Sequence, residues 1–419
     1  MTQDVTHRLN GLHAEVTISV DPWGIAHIRA ENRDDLFFAQ GWNAARDRLW
    51  QIDLARKRGL GLLAQDLGPG YLEQDRAARL FLYRGDMAAE WAAYAPDAQA
   101  ICTAFAAGIN AYVDGVLAGD LPLPPEFALL DCAPAHWAPG DVVRVRSHSL
   151  TRNATSELLR ARVMALMGPR AGAALDLLRK DIEPFVVPAV PEGLDLGLFS
   201  DRVLRDFLLA VSPVSFARDR LEAPLADAPL WSQPTPLGEV DRIASAEGSN
   251  NWVISPARSA TGRAILCLDP HRTHVLPSVR YIVHLSMPGF DAIGAGEPMV
   301  PGISMGHNGS AAFGLTIYGD DQEDIHAYEL HPGDADLYRY NGGWERMQIV
   351  RETVPVRGHP GQPVELRFTR HGPVIHRTAT HAFAIRTVWT LPGTAPYMAS
   401  LSVMRAQNRT DYLAALRDA

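Results

Sequence analysis

Gly248-Ser249-Asn250-Asn251-Trp252 is the seam of the chain. Ahead of it lie helical patterns and then a stretch rich in Pro and Ala. After it come alternating β patterns punctuated by Gly turns. An internal Ser after a Gly is ordinarily solvated or capping, because a hydroxyl is a weak nucleophile without a base beside it. A cut between Gly248 and Ser249 changes this. The freed α-amine titrates near about 7.7–8.0, so one residue then carries both nucleophile and base. Gly248 suits such a cut, since a residue without Cβ leaves its carbonyl open to attack.

Upstream of the seam, residues 14–30 read as a hairpin, with a turn at Asp21-Pro22-Trp23-Gly24. Asp34 or Asp35 then caps a long helix to about Ala64, with Arg46, Asp47 and Arg48 as a salt-bridged rim. A second helix is predicted from about Asp97 to Leu117, ended by Pro122, Pro124 and Pro125. A third starts near Pro139-Gly140-Asp141 and runs to about Met167, with a break near Thr151-Arg152-Asn153. Residues 181–200 are irregular, and a short helix follows near 201–210. Residues 212–247 carry Pro213, Pro224, Pro229, Pro234 and Pro236 with little periodicity, as an exposed linker does. This divides the chain into a largely helical region 1–211, a spacer 212–248 and a β-rich region 249–419.

Downstream, strands at 251–255 and 264–268 flank a Thr261-Gly262 turn. Further strands are predicted at 279–286, 290–294, 312–318 and 324–330. Asn341-Gly342-Gly343-Trp344 is a hairpin turn, a β meander follows to about 390, and a helix begins near Asn408 or Thr410. The sequence ends at Ala419, early in that helix and without a stop signal, as a piece of a longer protein would.

A chain of 419 residues with 47% hydrophobic and 21% charged residues can bury a large core. The net charge of −9 argues against a nucleic-acid surface. Cys102, Cys132 and Cys267 lie far apart and read as free thiols. With no leader-like start and no run of 18 apolar residues, the reading is cytoplasmic without a membrane span; a leader missing upstream would make it periplasmic.

Three further stretches carry a resemblance. Ser249-Asn250-Asn251-Trp252-Val253, the Ser259-Ala260-Thr261-Gly262-Arg263 turn and Asp269-Pro270-His271 resemble the start of the β chain in the penicillin acylase family of N-terminal nucleophile hydrolases. Asp21-Pro22-Trp23-Gly24-Ile25-Ala26-His27-Ile28 and Phe38-Ala39-Gln40-Gly41-Trp42-Asn43-Ala44-Ala45-Arg46-Asp47-Arg48-Leu49-Trp50-Gln51 resemble the opening of its α chain. Tyr338-Arg339-Tyr340-Asn341-Gly342-Gly343-Trp344-Glu345 resembles a later β-chain motif. Together they cover most of residues 15–419 in the family's order.

The resemblance implies an α+β fold, the αββα sandwich of these hydrolases. It also implies a precursor cut at Gly248-Ser249 into α and β chains, and hydrolysis of a linear amide through an acyl-enzyme on Ser249. Candidate substrates are the acyl side chain of a β-lactam antibiotic, an acyl-homoserine lactone or a similar N-acyl compound. The alternative is a non-catalytic relic or binding module of the same fold. His271 stands where the family has Gln or His and would tune the Ser249 amine. On residues alone, His271 and His274 are too few ligands for zinc. The Ile317 N–H, after Gly314-Leu315-Thr316, would be one oxyanion donor; a second, an Asn side chain, and an Arg of the site fall beyond Ala419.

A structural calcium ion is implied at Asp321, Asp324, the Glu323 carbonyl and Glu157 of Thr155-Ser156-Glu157, tying the α and β chains together. The family's pocket positions fall near Leu150, Thr151, Arg272, Met305 and Leu315. Arg272 favours an acidic or polar acyl group if it faces the pocket and says nothing if it faces solvent. Met305 and Leu315 suit an apolar one.

Overall fold

In the computed structural model, residues 5–146, 153–172, 175, 189–232, 248–271, 274–317 and 321–417 are described. The N-terminal hairpin, β1 (Thr17–Val20) and β2 (Ala26–Arg29), forms around an Asp21 turn, where the carboxylate accepts from the Trp23 and Ile25 N–H groups. It does not stand alone. β2 pairs in parallel with β5 (Tyr281–Met287), a strand from beyond the Ser249 seam. The sheet continues through β6 (Phe290–Gly296), β7 (Met305–His307) and β8 (Ala312–Phe313), in the order β1-β2-β5-β6-β7-β8. One sheet therefore contains strands from both sides of the seam.

Two long helices, Arg33–Leu60 and Ala98–Ala118, share a core with this sheet. Ile28, Phe37, Trp42, Phe105, Ile109, Val283 and Leu285 meet in it. The helices approach closely because glycine faces backbone on each side. A Cβ on Gly41 would lie 2.0 Å from the Phe105 carbonyl oxygen, and one on Gly108 1.9 Å from that of Phe38. Ala98–Ala118 is long and apolar enough to cross a membrane on composition, yet it serves as a core helix, with half of that window buried. The cap of the first helix is Asn32, not Asp34 or Asp35: its side chain accepts from the Asp35 N–H. Asp35 is buried and holds the His13 and Ala14 N–H groups instead.

The second sheet is antiparallel, in the order β11-β10-β9-β15-β14-β13-β12. Its strands are β9 (Glu323–His331), β10 (Asp334–Tyr340), β11 (Gly343–Arg346), β12 (Gln348–Val356), β13 (His359–Thr369), β14 (Gly372–Arg377) and β15 (His381–Thr387). Asn341 and Gly342 turn β10 into β11 at φ 46° and 81°, the left-handed pair a two-residue hairpin requires. Helices Leu72–Arg79, Ala154–Met167 and Arg205–Val211 share a second core with it. Phe207 stacks on Trp389, and Phe81 meets both rings edge-on.

Three expectations need correction. The predicted strand 312–318 is regular only at Ala312–Phe313; residues 314–317 are an irregular segment along a cavity. The Pro-rich stretch is not exposed throughout. Up to Ser232 it packs on the helical region, with the Arg220 guanidinium 4.0 Å from the Tyr71 ring centroid and bonded to Gly70 O and Gln74 Oε1. The third predicted helix has Asp141–Arg144 as a single turn, and the long helix starts only at Ala154. The rest of the spacer, 233–247, lies outside the described residues.

Candidate active site

Ser249 lies at the head of β3 (Gly248–Ile254), which pairs with β4 (Ile265–His271) in a ladder of its own. Among the described residues this ladder joins neither sheet, and Trp252 and Val253 are 51% and 68% exposed. The register sets Gly248 opposite His271, Ser249 opposite Pro270 and Asn250 opposite Asp269. Side chains alternate along a strand. Gly248, Asn250, Asp269 and His271 thus share one face, while Ser249 shares the other with Leu268 and Pro270.

The histidine face is a polar cluster. His271 Nε2 lies 3.1 Å from Asp269 Oδ2, and the Asn250 amide lies 3.4 Å from the same oxygen. Accepting from the imidazole, and then from the Asn250 amide, holds the Asp269 carboxyl below its usual range. The other ring nitrogen, Nδ1, is turned to Gly248, 3.4 Å from where a Cβ there would stand. On the serine face, the Ser249 hydroxyl donates to the Gly248 carbonyl oxygen at 2.5 Å. The Ser249 hydroxyl thus rests against the preceding carbonyl, and the imidazole is on the opposite face of the ladder.

The segment expected to supply the oxyanion donor is on the serine face. Gly314 packs on Leu268 so tightly that a Cβ would fall 2.2 Å from Leu268 Cδ2. Beyond Gly314, Leu315, Thr316 and Ile317 form one wall of a cavity of about 540 Å³, and Trp389, Tyr397 and Val403 line it elsewhere. Leu315 lines this cavity. Met305 does not: it is buried in β7, and its neighbour Ser304 reaches the cavity instead. Leu150, Thr151 and Arg272 lie outside the described residues.

The acidic cluster bridges the helical and β-rich regions. Glu323 is buried, and its Oε2 accepts from the Asn153 and Ala154 N–H groups at the start of the Ala154–Met167 helix. The Asn153 amide nitrogen donates to Asp321 Oδ1 at 2.8 Å and to the Glu323 carbonyl at 3.0 Å. Burial, then the Asp321 and Asp324 charges, push the Glu157 carboxyl up to about 7. Among the described residues no three His, Cys, Asp or Glu side chains converge in a metal-ligand arrangement. The Asn153 amide sits between two of the expected ligands.

Two of these participants went unmarked in the sequence. Asp269 was detectable as the residue two before His271 on one strand face. Asn153 was detectable only as the helix-start residue ahead of Thr155-Ser156-Glu157.

The penicillin amidase family profile matches residues 15–419. Penicillin acylase 2 proenzyme of Pseudomonas sp. (strain SE83) is 33% identical over 372 residues, covering 87% of this chain and 44% of that protein. Acyl-homoserine lactone acylase QuiP of Pseudomonas aeruginosa is 27% identical over 380 residues, covering 88% of this chain and 41% of that protein. The chain therefore spans less than half the length of these two relatives. The thermostable penicillin G acylase from Alcaligenes faecalis, solved in orthorhombic form, is 28% identical over 41% of this chain and 31% of its own, with a TM-score of 0.37. On the extent of the profile match, the chain belongs to the penicillin amidase family of N-terminal nucleophile hydrolases, with its α+β fold.

Proposed function

We propose that the protein is a self-processing acylase that hydrolyses a linear amide. One observation carries this reading: the Ser249 hydroxyl lies 2.5 Å from the Gly248 carbonyl oxygen, with His271 opposite Gly248. In the processing step Oγ attacks the Gly248 carbonyl carbon. The C–N bond breaks, an ester forms, and the amide nitrogen takes a proton to become the Ser249 α-amine. Water then cleaves the ester, leaving a Gly248 carboxylate and a free hydroxyl.

In turnover the α-amine takes the hydroxyl proton as Oγ attacks the substrate carbonyl. The Ile317 N–H donates to the oxyanion. The leaving amine receives the proton, and water hydrolyses the acyl ester. His271, paired across the ladder with Gly248, is the residue we assign to orient that amine. The relatives' names direct the choice of substrate to the acyl side chain of a β-lactam antibiotic, an acyl-homoserine lactone or a similar N-acyl compound.

Calcium is proposed for the acidic cluster on donor chemistry alone, because among the described residues the carboxylates do not converge on one point and the Asn153 amide lies between two of them. Its donors are hard oxygens, Glu157, Asp321, Asp324 and the Glu323 carbonyl, of the kind calcium takes. The ion would neutralise their charge and fasten the helical region to β9.

The test is a panel of N-acyl amides presented to the full-length protein and to its Ser249→Ala variant. Turnover by the parent, and none by the variant, supports the reading. A parent that remains a single uncut chain and turns over no amide is a binding module of the same fold.

A further inference from the structure

Tyr397 is held in a backbone conformation that an aromatic residue avoids. Its φ is 67°, in the left-handed region, where short polar residues such as Asp131 and Asn341 are tolerated. Strain of this kind persists only where the surroundings over-determine it, and it concentrates at ligand sites.

The surroundings here are a buried network. Glu90 and Arg146 are fully buried and paired at 2.7 Å. Glu90 accepts from the Gly393 N–H at 3.0 Å, Arg146 donates to Thr394 Oγ1 at 2.9 Å, and the Ala395 N–H donates to the Tyr94 hydroxyl at 2.9 Å. Three consecutive residues ahead of Tyr397 are thus pinned to the helical region. On its other side, the Tyr397 carbonyl accepts from the Ser400 N–H at 3.0 Å.

What the strain achieves is a placement. Tyr397 lines the cavity whose other wall is Leu315, Thr316 and Ile317. Its hydroxyl lies 3.5 Å from a nitrogen of Arg280, whose Nε is 3.2 Å from Glu297. That polar tether anchors the end of the side chain.

We infer that this cavity, which the 314–317 segment joins to the serine face of the ladder through Leu268, takes the acyl group, and that the Tyr397 ring limits the length of apolar acyl group it accepts. This rests on the acylase reading for the identity of the ligand. The test is therefore made without turnover, on binding of the acid product. Full-length protein is titrated by calorimetry with straight-chain carboxylic acids of increasing length. The same is done for Tyr397→Gly, which removes the ring but keeps a residue at ease with positive φ, and for Tyr397→Phe.

The parent is expected to show a length optimum. Tyr397→Gly should move it to longer acids and bind those about 10-fold more tightly, while Tyr397→Phe keeps the parent's order. An unchanged length order in Tyr397→Gly overturns the inference, and so does a parent that binds no acid. Amide turnover, followed on the same samples, reports separately: acid binding without turnover contradicts the acylase reading and leaves the pocket assignment standing.

Discussion

Gly248 and His271 are direct partners across the β3–β4 ladder, and His271 Nδ1 lies at van der Waals distance from the position of a Gly248 Cβ, 3.4 Å. The imidazole is on the face of Gly248 rather than beside the Ser249 hydroxyl, which faces the other way. His271 is thereby suited to hold the amine after the cut. His271→Ala should lower kcat for amide hydrolysis by about 10²-fold in the processed protein, while His271→Gln keeps most of it. Steady-state kinetics on the mature enzyme checks this.

Gly314 permits the close approach of the 314–317 segment to Leu268. Gly314→Ala should cost about 1–3 kcal/mol of stability from overpacking. By displacing the Ile317 N–H, it should also lower kcat by about 10²–10³-fold. The double variant Gly314→Ala/Leu268→Ala removes the clash and should recover activity. Failure of the second change to restore kcat would separate the glycine from the oxyanion segment.

Glu157 gives a pH signature. Its carboxyl is raised from 4.5 to about 7 in the folded chain, so the folded state holds a proton that the unfolded state has lost between these values. Stability of calcium-free protein should therefore fall as pH rises from about 4.5 to about 7, by about 1–2 kcal/mol once solvent screening of this partly exposed carboxyl is allowed for. Excess calcium should remove that slope, and Glu157→Gln should remove both the slope and the calcium response. Denaturant titrations across this range, with and without chelator, measure it.

The Glu90–Arg146 pair is buried on both sides. Arg146→Met leaves a carboxylate uncompensated in the core and should cost about 3–5 kcal/mol. The double variant Glu90→Leu/Arg146→Met should recover part of that loss. Chemical denaturation of the four proteins gives the coupling.

Local signals account for what the sequence made legible. The Asn341-Gly342 turn follows from left-handed backbone, the 98–118 helix from apolar periodicity, and the 248–271 hairpin from alternation. Ser249, His271 and the 314–317 segment were found through family motifs, and the structure brings all three to one ladder and its flank. Leucine and methionine patterns could not separate Leu315, on the cavity, from Met305, inside the sheet.

Long-range contacts hid the rest. The Leu72–Arg79 helix is fixed by Asp75, whose carboxylate accepts from the Leu63 and Ala64 N–H groups. Residues 212–232 look like linker until Arg220 finds Tyr71. Tyr397 has no local mark at all, because its conformation is imposed by Glu90, Tyr94 and Arg146 from elsewhere in the chain.

The central claim is that Ser249 cuts the bond before it. Intact-mass and N-terminal analysis of the full-length protein, beside its Ser249→Ala variant, tests this most directly. The account predicts two chains from the parent, one beginning at Ser249, and a single uncut chain from the variant. A parent that stays whole, or a variant that is still cut before residue 249, contradicts it.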